Sequence, residues 1–422
     1  MERNMKLKVR KSEICGAVSA PSSKSLTHRE YIISALADGT SVIRNPLFGD
    51  DTDTTLKCLE KLGAEVRILN NEVRITGGDL KSSGCVLDCG NSGTTIRILA
   101  GAAAKLSGRC DFIGDSSLCC RPMKPLLDAL EKSGAKIISD NGCAPFSVIG
   151  PSKSSEFSVR GDVSSQFISS LLISAPLCRT KTVIALTSPL SSAPYVDMTI
   201  SSMKKHGADV LKTENGFEVP EDQEYHPAVS DIFGDYSSAA FILSAGVLTG
   251  DVTVNNLSSD SVQADSAIIP ILKKFGADVN VHDGSVSVKK SELQGCEINL
   301  KDCPDLFPIV CVLGALSKGT TKIFGAAHLK YKESSRIQTT AEFLKEMGAD
   351  IVPAQDGCVI SGKKHLIGGT IIKTYNDHRI AMAASIAALC SEKETVIDDI
   401  GCTAVSYPGF ADDLRKLGGD LE

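Results

Sequence analysis

The chain of 422 residues contains no tryptophan, and aromatic residues make up only 5% of it. Nucleic acids are gripped by aromatic platforms and basic grooves. This chain is poor in the first and carries a net charge of −6, and both argue against a nucleic-acid footprint. It has no apolar run long enough to cross a bilayer, which argues against a membrane role, and no signal-peptide pattern opens it. Among fifteen cysteines there is no Cys-x-x-Cys pair, and the seven histidines stand at no zinc-like spacing. No metal is therefore expected, and the cysteines are expected as reduced thiols of a cytoplasmic protein. Cys119 and Cys120 are adjacent to each other and to Arg121; they read as small half-buried loop residues, with a reactive thiol beside the arginine as the alternative. The absence of a heptad pattern and of a long apolar patch leads to the expectation of a monomer. With a negative net charge, any anionic ligand must be held by a local basic cluster rather than by the field of the whole molecule.

What the chain does have is one phrase repeated six times. It occurs at 59–66 (LEKLGAEV), 130–137 (LEKSGAKI), 203–210 (MKKHGADV), 272–279 (LKKFGADV), 344–351 (LKEMGADI) and 414–421 (LRKLGGDL). The copies start 71, 73, 69, 72 and 70 residues apart. So regular a period means that one supersecondary unit was copied. Basic residues followed by Gly read as a last helical turn with a left-handed cap, and the apolar residues beyond as a strand. Hairpin signals follow five copies: Asn70–Asn71, Asn141–Gly142, Asn215–Gly216, Asp283–Gly284 and Asp356–Gly357. The sixth copy reaches Glu422 with no chain left for its hairpin, and residues 6–17 (KLKVRKSEICGA) are the candidate strand to close it.

A second sixfold pattern lies between these phrases. Polar heads run into apolar helices at 22–36, 91–104, 164–175, 235–247, 305–316 and 376–389. Each unit is therefore strand, helix, strand, helix, hairpin, and six units sort into two domains of three, residues 20–232 and residues 1–19 plus 233–422. N-capping explains Ser, Thr, Asn and Asp at such heads. It does not explain Lys24, Arg29, Gln166, His378 and Arg379 in the same turns. Helix N-termini offer backbone N–H groups and a positive dipole end, so basic side chains there build anion sites. Lys24, Ser25 and Arg29 suit a phosphate or carboxylate. Gly90 and Gly93 beside Ser92 and Thr94 form a second cradle, and residues 161–167 (GDVSSQF) supply hydroxyls and an amide. Arg121, Lys332 with Glu333 and Arg336, and Asp377–His378–Arg379 complete the set. Lys332 and Arg336 are four apart, a spacing that on a helix puts them on one side.

The runs SKSLTHR, GNSGTTIR, RPM, GDVSSQF, APYVD, CPDLFP, KESSRI and YNDHRIAMA resemble, in order and along the whole chain, those of the 5-enolpyruvylshikimate-3-phosphate synthases, a family of enolpyruvyl transferases. The resemblance implies an α/β fold, a two-domain inside-out α/β barrel of six βαβαββ repeats with the active site in the cleft between the domains. It also implies transfer of the enolpyruvyl group of phosphoenolpyruvate to the 5-hydroxyl of shikimate 3-phosphate, with no cofactor and no metal, in the pathway to chorismate and the aromatic amino acids. On matching positions, Lys24, Ser25, Arg29, Ser164, Ser165, Gln166, Ser192, Tyr195, Asp305 and Lys332 would hold shikimate 3-phosphate. Phosphoenolpyruvate would be held by Lys24, Gly93, Arg121, Gln166, Arg336 and Arg379. Asp305 would take the proton of the 5-hydroxyl with Lys332 and Lys24 beside the substrates, Glu333 would move the proton at the methylene, and His378 would assist. Family members are inhibited by glyphosate.

Some positions depart from the family pattern. Val405, in residues 401–408 (GCTAVSYP), stands where a Lys is common, which predicts weaker binding of phosphoenolpyruvate. Ser22 and Ile98 replace a common Gly and Pro, and His328 stands where some members carry Asn. The sister family that acts on UDP-N-acetylglucosamine has Lys-Asn at the first helix, where this chain has Lys24–Ser25. A non-catalytic scaffold that binds phosphometabolites is the other alternative, and the full set of charged residues argues against it.

Overall fold

The computed structural model describes residues 5–82 and 84–422; residues 1–4, the start of the expected 1–19 segment, lie outside the described residues. The chain divides into two compact units, Ser22–Ile232 and the remainder, Met1–Pro21 with Phe233–Glu422. Each has its own apolar core.

The Ser22–Ile232 unit contains helices α1 (Lys24–Leu36), α2 (Asp50–Lys61), α3 (Gly93–Lys105), α4 (Lys124–Lys132), α5 (Ser165–Ser174) and α6 (Ala193–Lys205). They alternate in character. α3 is buried from Gly93 to Ala104 and α1 from Thr27 to Leu36: α3 is apolar or small on nearly every face, whereas α1 buries His28, Arg29 and Glu30 against hydrogen-bonding partners. α4 buries only Leu126, Leu127, Ala129 and Leu130, the one-sided stripe of a surface helix. The recurrent phrase ends α2, α4 and α6 as its glycine demands: Gly63, Gly134 and Gly207 have φ of +106°, +100° and +89°, a region open to Gly without strain. At the α3–α5 contact a Cβ on Gly101 would lie 2.5 Å from Ser170 Oγ. The bare backbone instead donates from Gly101 N to that oxygen at 3.1 Å, so the two helices that carry Gly93 and Gln166 are held in close register.

Each repeat of this unit contains a four-stranded sheet of the same plan. In the second, Cys85–Asp88 lies parallel to Gly108–Ile113, which pairs antiparallel with Phe146–Gly150 and that with Lys136–Ser139. In the third, Glu156–Val159, Thr182–Leu186, Gly216–Val219 and Leu211–Thr213 repeat the order. The first repeat takes its opening strand, Val229–Asp231, from the far end of the unit, where it pairs with Gly39–Arg44. Glu30 of α1 fastens that strand: its carboxylate accepts from Ser230 Oγ at 2.5 Å and from His206 Nε2 at 3.1 Å. Burial pushes the Glu30 carboxyl up, and these partners outweigh it and leave it below its ordinary value.

The other unit repeats the scheme with α7 (Tyr236–Thr249), α8 (Ile268–Lys274), α9 (Phe307–Ala315), α10 (Arg336–Glu346), α11 (His378–Leu389) and α12 (Phe410–Lys416). Here α7, α9 and α11 are buried on nearly every side. Residues 6–17, expected as one strand closing the last repeat, form parts of two. Leu7–Val9 does close that repeat: it pairs with Thr395–Ile397, Val9 bridges Leu421, and Lys8 exchanges both backbone hydrogen bonds with Glu422. Cys15–Ser19 instead opens the fourth repeat, parallel to Asp251–Asn255. The cause is local: residues 10–14 leave the sheet, with Ser12 N donating to Leu389 O at 3.2 Å, and the strand beyond them enters another sheet.

Candidate active site

In the Ser22–Ile232 unit the polar heads of α1, α3 and α5 carry the expected residues. Lys24 is the first residue of α1, and its ammonium lies 3.2 Å from Asp51 Oδ2 in a largely buried ion pair. Arg29 is turned inward. Its guanidinium donates to Thr199 Oγ1 at 2.8 Å, Ser25 O at 2.8 Å, Tyr195 O at 3.1 Å and Ser169 Oγ at 3.4 Å. Burial lowers its pKa to about 10. Arg29 thus braces Ser25 and Tyr195, and a ligand anion would compete with those bonds.

At α3, Ser92 caps the helix by accepting from Thr95 N at 3.3 Å, and Gly93 is the first helical residue. A Cβ on Gly93 would sit 3.1 Å from Arg97 Nη1 and 3.2 Å from Arg121 Nη1, so two guanidinium groups meet at that glycine. Arg97 donates to Gln166 Oε1 at 2.7 Å, and Gln166 Nε2 donates to Thr94 Oγ1 at 2.9 Å, which joins the heads of α3 and α5. Asn91 accepts from Arg121 through both its backbone and side-chain oxygens. Ser164 caps α5, accepting from Gln166 N at 3.3 Å, and Ser165 is its first residue. Ser192, with φ of +58°, precedes α6, where Tyr195 lies in the first turn. Arg97 and Asn91 are functional candidates that the sequence reading passed over. The signal for Arg97 was its place four residues after Gly93 on one helix.

The other unit gathers a dense ion cluster. Asp305 accepts from Arg336 Nη1 at 2.7 Å and is paired with Arg379 Nη2 at 3.0 Å and Lys332 Nζ at 3.2 Å. Arg336, 1% exposed, also donates to Glu333 Oε2 at 2.7 Å and to Asp377 Oδ2 at 2.9 Å. Asp377 caps α11 by accepting from Arg379 N at 3.0 Å, and His378 is buried in the same turn. Lys332 and Arg336 converge on Asp305, but not as neighbours on one helix. Lys332 follows the short 3-10 turn Ala327–Tyr331, and α10 starts at Arg336.

Burial by itself would raise the Asp305 carboxyl, yet Arg379, Lys332 and Arg336 outweigh it and hold Asp305 well below the carboxylate range. Asp265, bonded to Ser237 Oγ, behaves oppositely: burial and the nearby Asp305 charge raise it to about 6. Burial lowers His328 to about 4, with Lys332 adding to the effect, so His328 is neutral at neutral pH. The Asp265 shift has a testable sign. A folded-state value above the unfolded one gives stability that is present below pH 3.8 and lost as pH rises through about 6. Asp265→Asn is therefore expected to melt increasingly above the parent as pH rises from 4 to 7, by on the order of a few kcal/mol at the upper end. A difference in melting temperature that stays flat with pH would contradict this.

Comparisons with known proteins point one way. The family model described as EPSP synthase (3-phosphoshikimate 1-carboxyvinyltransferase) matches residues 9–414. A Methanocorpusculum labreanum protein named 3-phosphoshikimate 1-carboxyvinyltransferase is 51% identical over 421 residues, 99% of each chain. One of the same name from Methanocaldococcus jannaschii is 42% identical over 415 residues, 96% of each. Among solved structures, EPSP synthase from Acinetobacter baumannii aligns with a TM-score of 0.83 at 28% identity, covering 99% of each chain.

Proposed function

The chain belongs to the EPSP synthase family, and we propose how its residues carry out the family's reaction, transfer of the enolpyruvyl group of phosphoenolpyruvate to the 5-hydroxyl of shikimate 3-phosphate with release of phosphate. This is a step of the shikimate pathway of aromatic amino-acid biosynthesis. The observation that supports the assignment of roles most directly is Asp305, held between Lys332, Arg336 and Arg379.

Those three cations are paired with Asp305, Glu333 and Asp377. Phosphoenolpyruvate brings a phosphate and a carboxylate whose mutual repulsion must be offset by cations. Arg336 and Arg379, with Arg121, Lys24, Gln166 and the open backbone at Gly93, take up those anions. As the guanidinium groups turn to the substrate, Asp305 loses part of the field that holds its pKa down, and its basicity rises when the 5-hydroxyl arrives. Asp305 removes the hydroxyl proton, the oxygen adds to the enol carbon, and Glu333, which takes up a proton once Arg336 has turned to the substrate, delivers it to the methylene. The resulting tetrahedral ketal loses phosphate, which carries off the proton held by Asp305, as the methyl group returns a proton to Glu333, which restores the double bond. Lys332 and His378 lie by the reacting groups. Ser25, Arg29, Ser164, Ser165, Gln166, Ser192 and Tyr195 hold shikimate 3-phosphate. In this reading residues 20–232 and residues 1–19 plus 233–422 each contribute half of a single active site, and the protein acts as a cytoplasmic monomer.

The test is phosphate release from phosphoenolpyruvate, with shikimate 3-phosphate and UDP-N-acetylglucosamine offered separately. Release with shikimate 3-phosphate alone is the expected result; release with the nucleotide sugar alone overturns the reading. Val405 offers a second test. It ends the 3-10 turn Gly401–Val405, and the next residue's carbonyl accepts from Ser238 Oγ in the first turn of α7 at 3.3 Å. A lysine there adds a charge-assisted contact worth about 1.5–3 kcal/mol. Val405→Lys is thus expected to lower the KM for phosphoenolpyruvate about tenfold, and an unchanged KM would show that the missing cation is of no consequence.

A further inference from the structure

The unit formed by Met1–Pro21 and Phe233–Glu422 has a cavity of about 1000 Å³ far from the ion cluster. It lies at the C-terminal ends of α7, α9 and α11, the helices whose opposite ends carry Asp235, Asp305 and Asp377. At 1.5 Å per residue, α7 alone separates its two ends by about 20 Å. Leu248, Leu293, Leu316 and Leu389 give the cavity an apolar floor, and Lys11, Lys290, Lys318, Lys363 and Lys364 stand around it.

Lysines at helix C-termini often serve the helix itself. Here the main chain already does that work. Ser291 N, Lys363 N and Ser12 N donate to Val247 O at 3.0 Å, Ala315 O at 2.8 Å and Leu389 O at 3.2 Å, one for each helix. Nor does the architecture demand the charge. In the Ser22–Ile232 unit, the hollow at the C-terminal ends of α1 and α5 is lined by Asp38, Asp79 and Glu224 with one arginine, Arg179. The basic character instead follows the repeats of this unit, as Lys11-Ser-Glu, Lys290-Ser-Glu and Lys363–Lys364 just beyond each closing strand. Glu13 and Glu292 meet Lys290 and Lys318 at 2.7 and 2.5 Å, in exposed pairs. Among the described residues Lys11 and Lys364 form no ion pair. Lys11 and Lys290 are both near enough to oppose the burial that raises the Cys390 thiol at the cavity wall to about 12. No Phe or Tyr lines the space, so it offers no stacking surface for a nucleobase.

We propose that this cavity binds a small phosphate monoester with a compact apolar body, the phosphate among the lysines and the body on the leucines. Ammonium groups act as point charges for phosphate, and a space of this size is ample for such a ligand.

The probe is phenyl phosphate, titrated calorimetrically into the whole protein saturated with shikimate 3-phosphate, with inorganic phosphate run in parallel. One binding event per chain is expected, tighter for phenyl phosphate than for inorganic phosphate. Lys11→Glu with Lys364→Glu is expected to weaken it at least tenfold, with kcat and KM unchanged in the absence of the probe. Both lysines are exposed, and a thermal melt checks that the variant is folded. Bound probe should also slow alkylation of Cys390, read by peptide mass spectrometry. Loss of binding when shikimate 3-phosphate is present, equal affinity in the double variant, or no preference for the phenyl ester would each overturn the proposal.

Discussion

Asp305→Asn is expected to lower kcat by about 10²–10⁴-fold, the contribution of a positioned general base, with little change in the KM for either substrate. Asparagine keeps the shape and one acceptor oxygen, so the cluster around Lys332, Arg336 and Arg379 loses a charge but not its packing. A variant retaining a tenth or more of the activity would remove Asp305 from the role of base. The low resting pKa of Asp305 adds a pH signature. Its carboxyl titrates below the ordinary value of 3.8, so the ionised form contributes stability that is present above that value and is lost only as pH falls through the lower folded one. The acid limb of kcat/KM in the free enzyme should therefore not be set by Asp305, and substitution should leave the position of that limb unmoved.

Arg336→Met is expected to damage the fold as well as the chemistry. Its guanidinium contacts Asp305, Glu333 and Asp377 while almost wholly buried. Removing one partner of a buried ionic group costs about 3–5 kcal/mol, because the remaining charges are left uncompensated. At roughly 2–4 °C per kcal/mol for a unit of this size, a melting point about 10 °C lower is expected, along with loss of turnover. Arg336→Lys should recover little of either, since an ammonium cannot reach three carboxylates with a planar fork. A melting point within about 2 °C of the parent would mean that attraction and desolvation cancel in this cluster.

The repeating architecture was legible because a helix cap is a local event. Gly63, Gly134, Gly207, Gly276, Gly348 and Gly418 all have positive φ, and the chemistry that requires glycine there acts within a few residues. The polar heads were legible for the same reason. What the sequence did not disclose depends on distant partners. Arg29 read as an anion ligand, and nothing near it announced that it would also bond Thr199 and Tyr195, about 170 residues on. Asp265 was missed because nothing in residues 264–267 announces that the turn is buried beside Asp305. The opening strand of the first repeat, Val229–Asp231, is three residues long and too short to carry a period of its own. Lys332 and Arg336 were paired for a helical spacing, and they meet instead because a turn and a helix start bring both to the same carboxylate.

Three borrowed strands impose an order on synthesis. Translation runs from the N-terminus at about 5–20 residues per second. The Ser22–Ile232 unit is complete as soon as Val229–Asp231 has emerged to lie against Gly39–Arg44, so it can close while the ribosome is still at work. Leu7–Val9 and Cys15–Ser19 are made first and used last. Cys15–Ser19 waits for Asp251–Asn255, and Leu7–Val9 waits for Thr395–Ile397 and the final residues. For tens of seconds the leading segment is an unpaired β-edge, the kind of edge that invites pairing with another chain. The charged residues Lys8, Arg10, Lys11 and Glu13 interleaved along it are well suited to keep it solvated until its partners arrive.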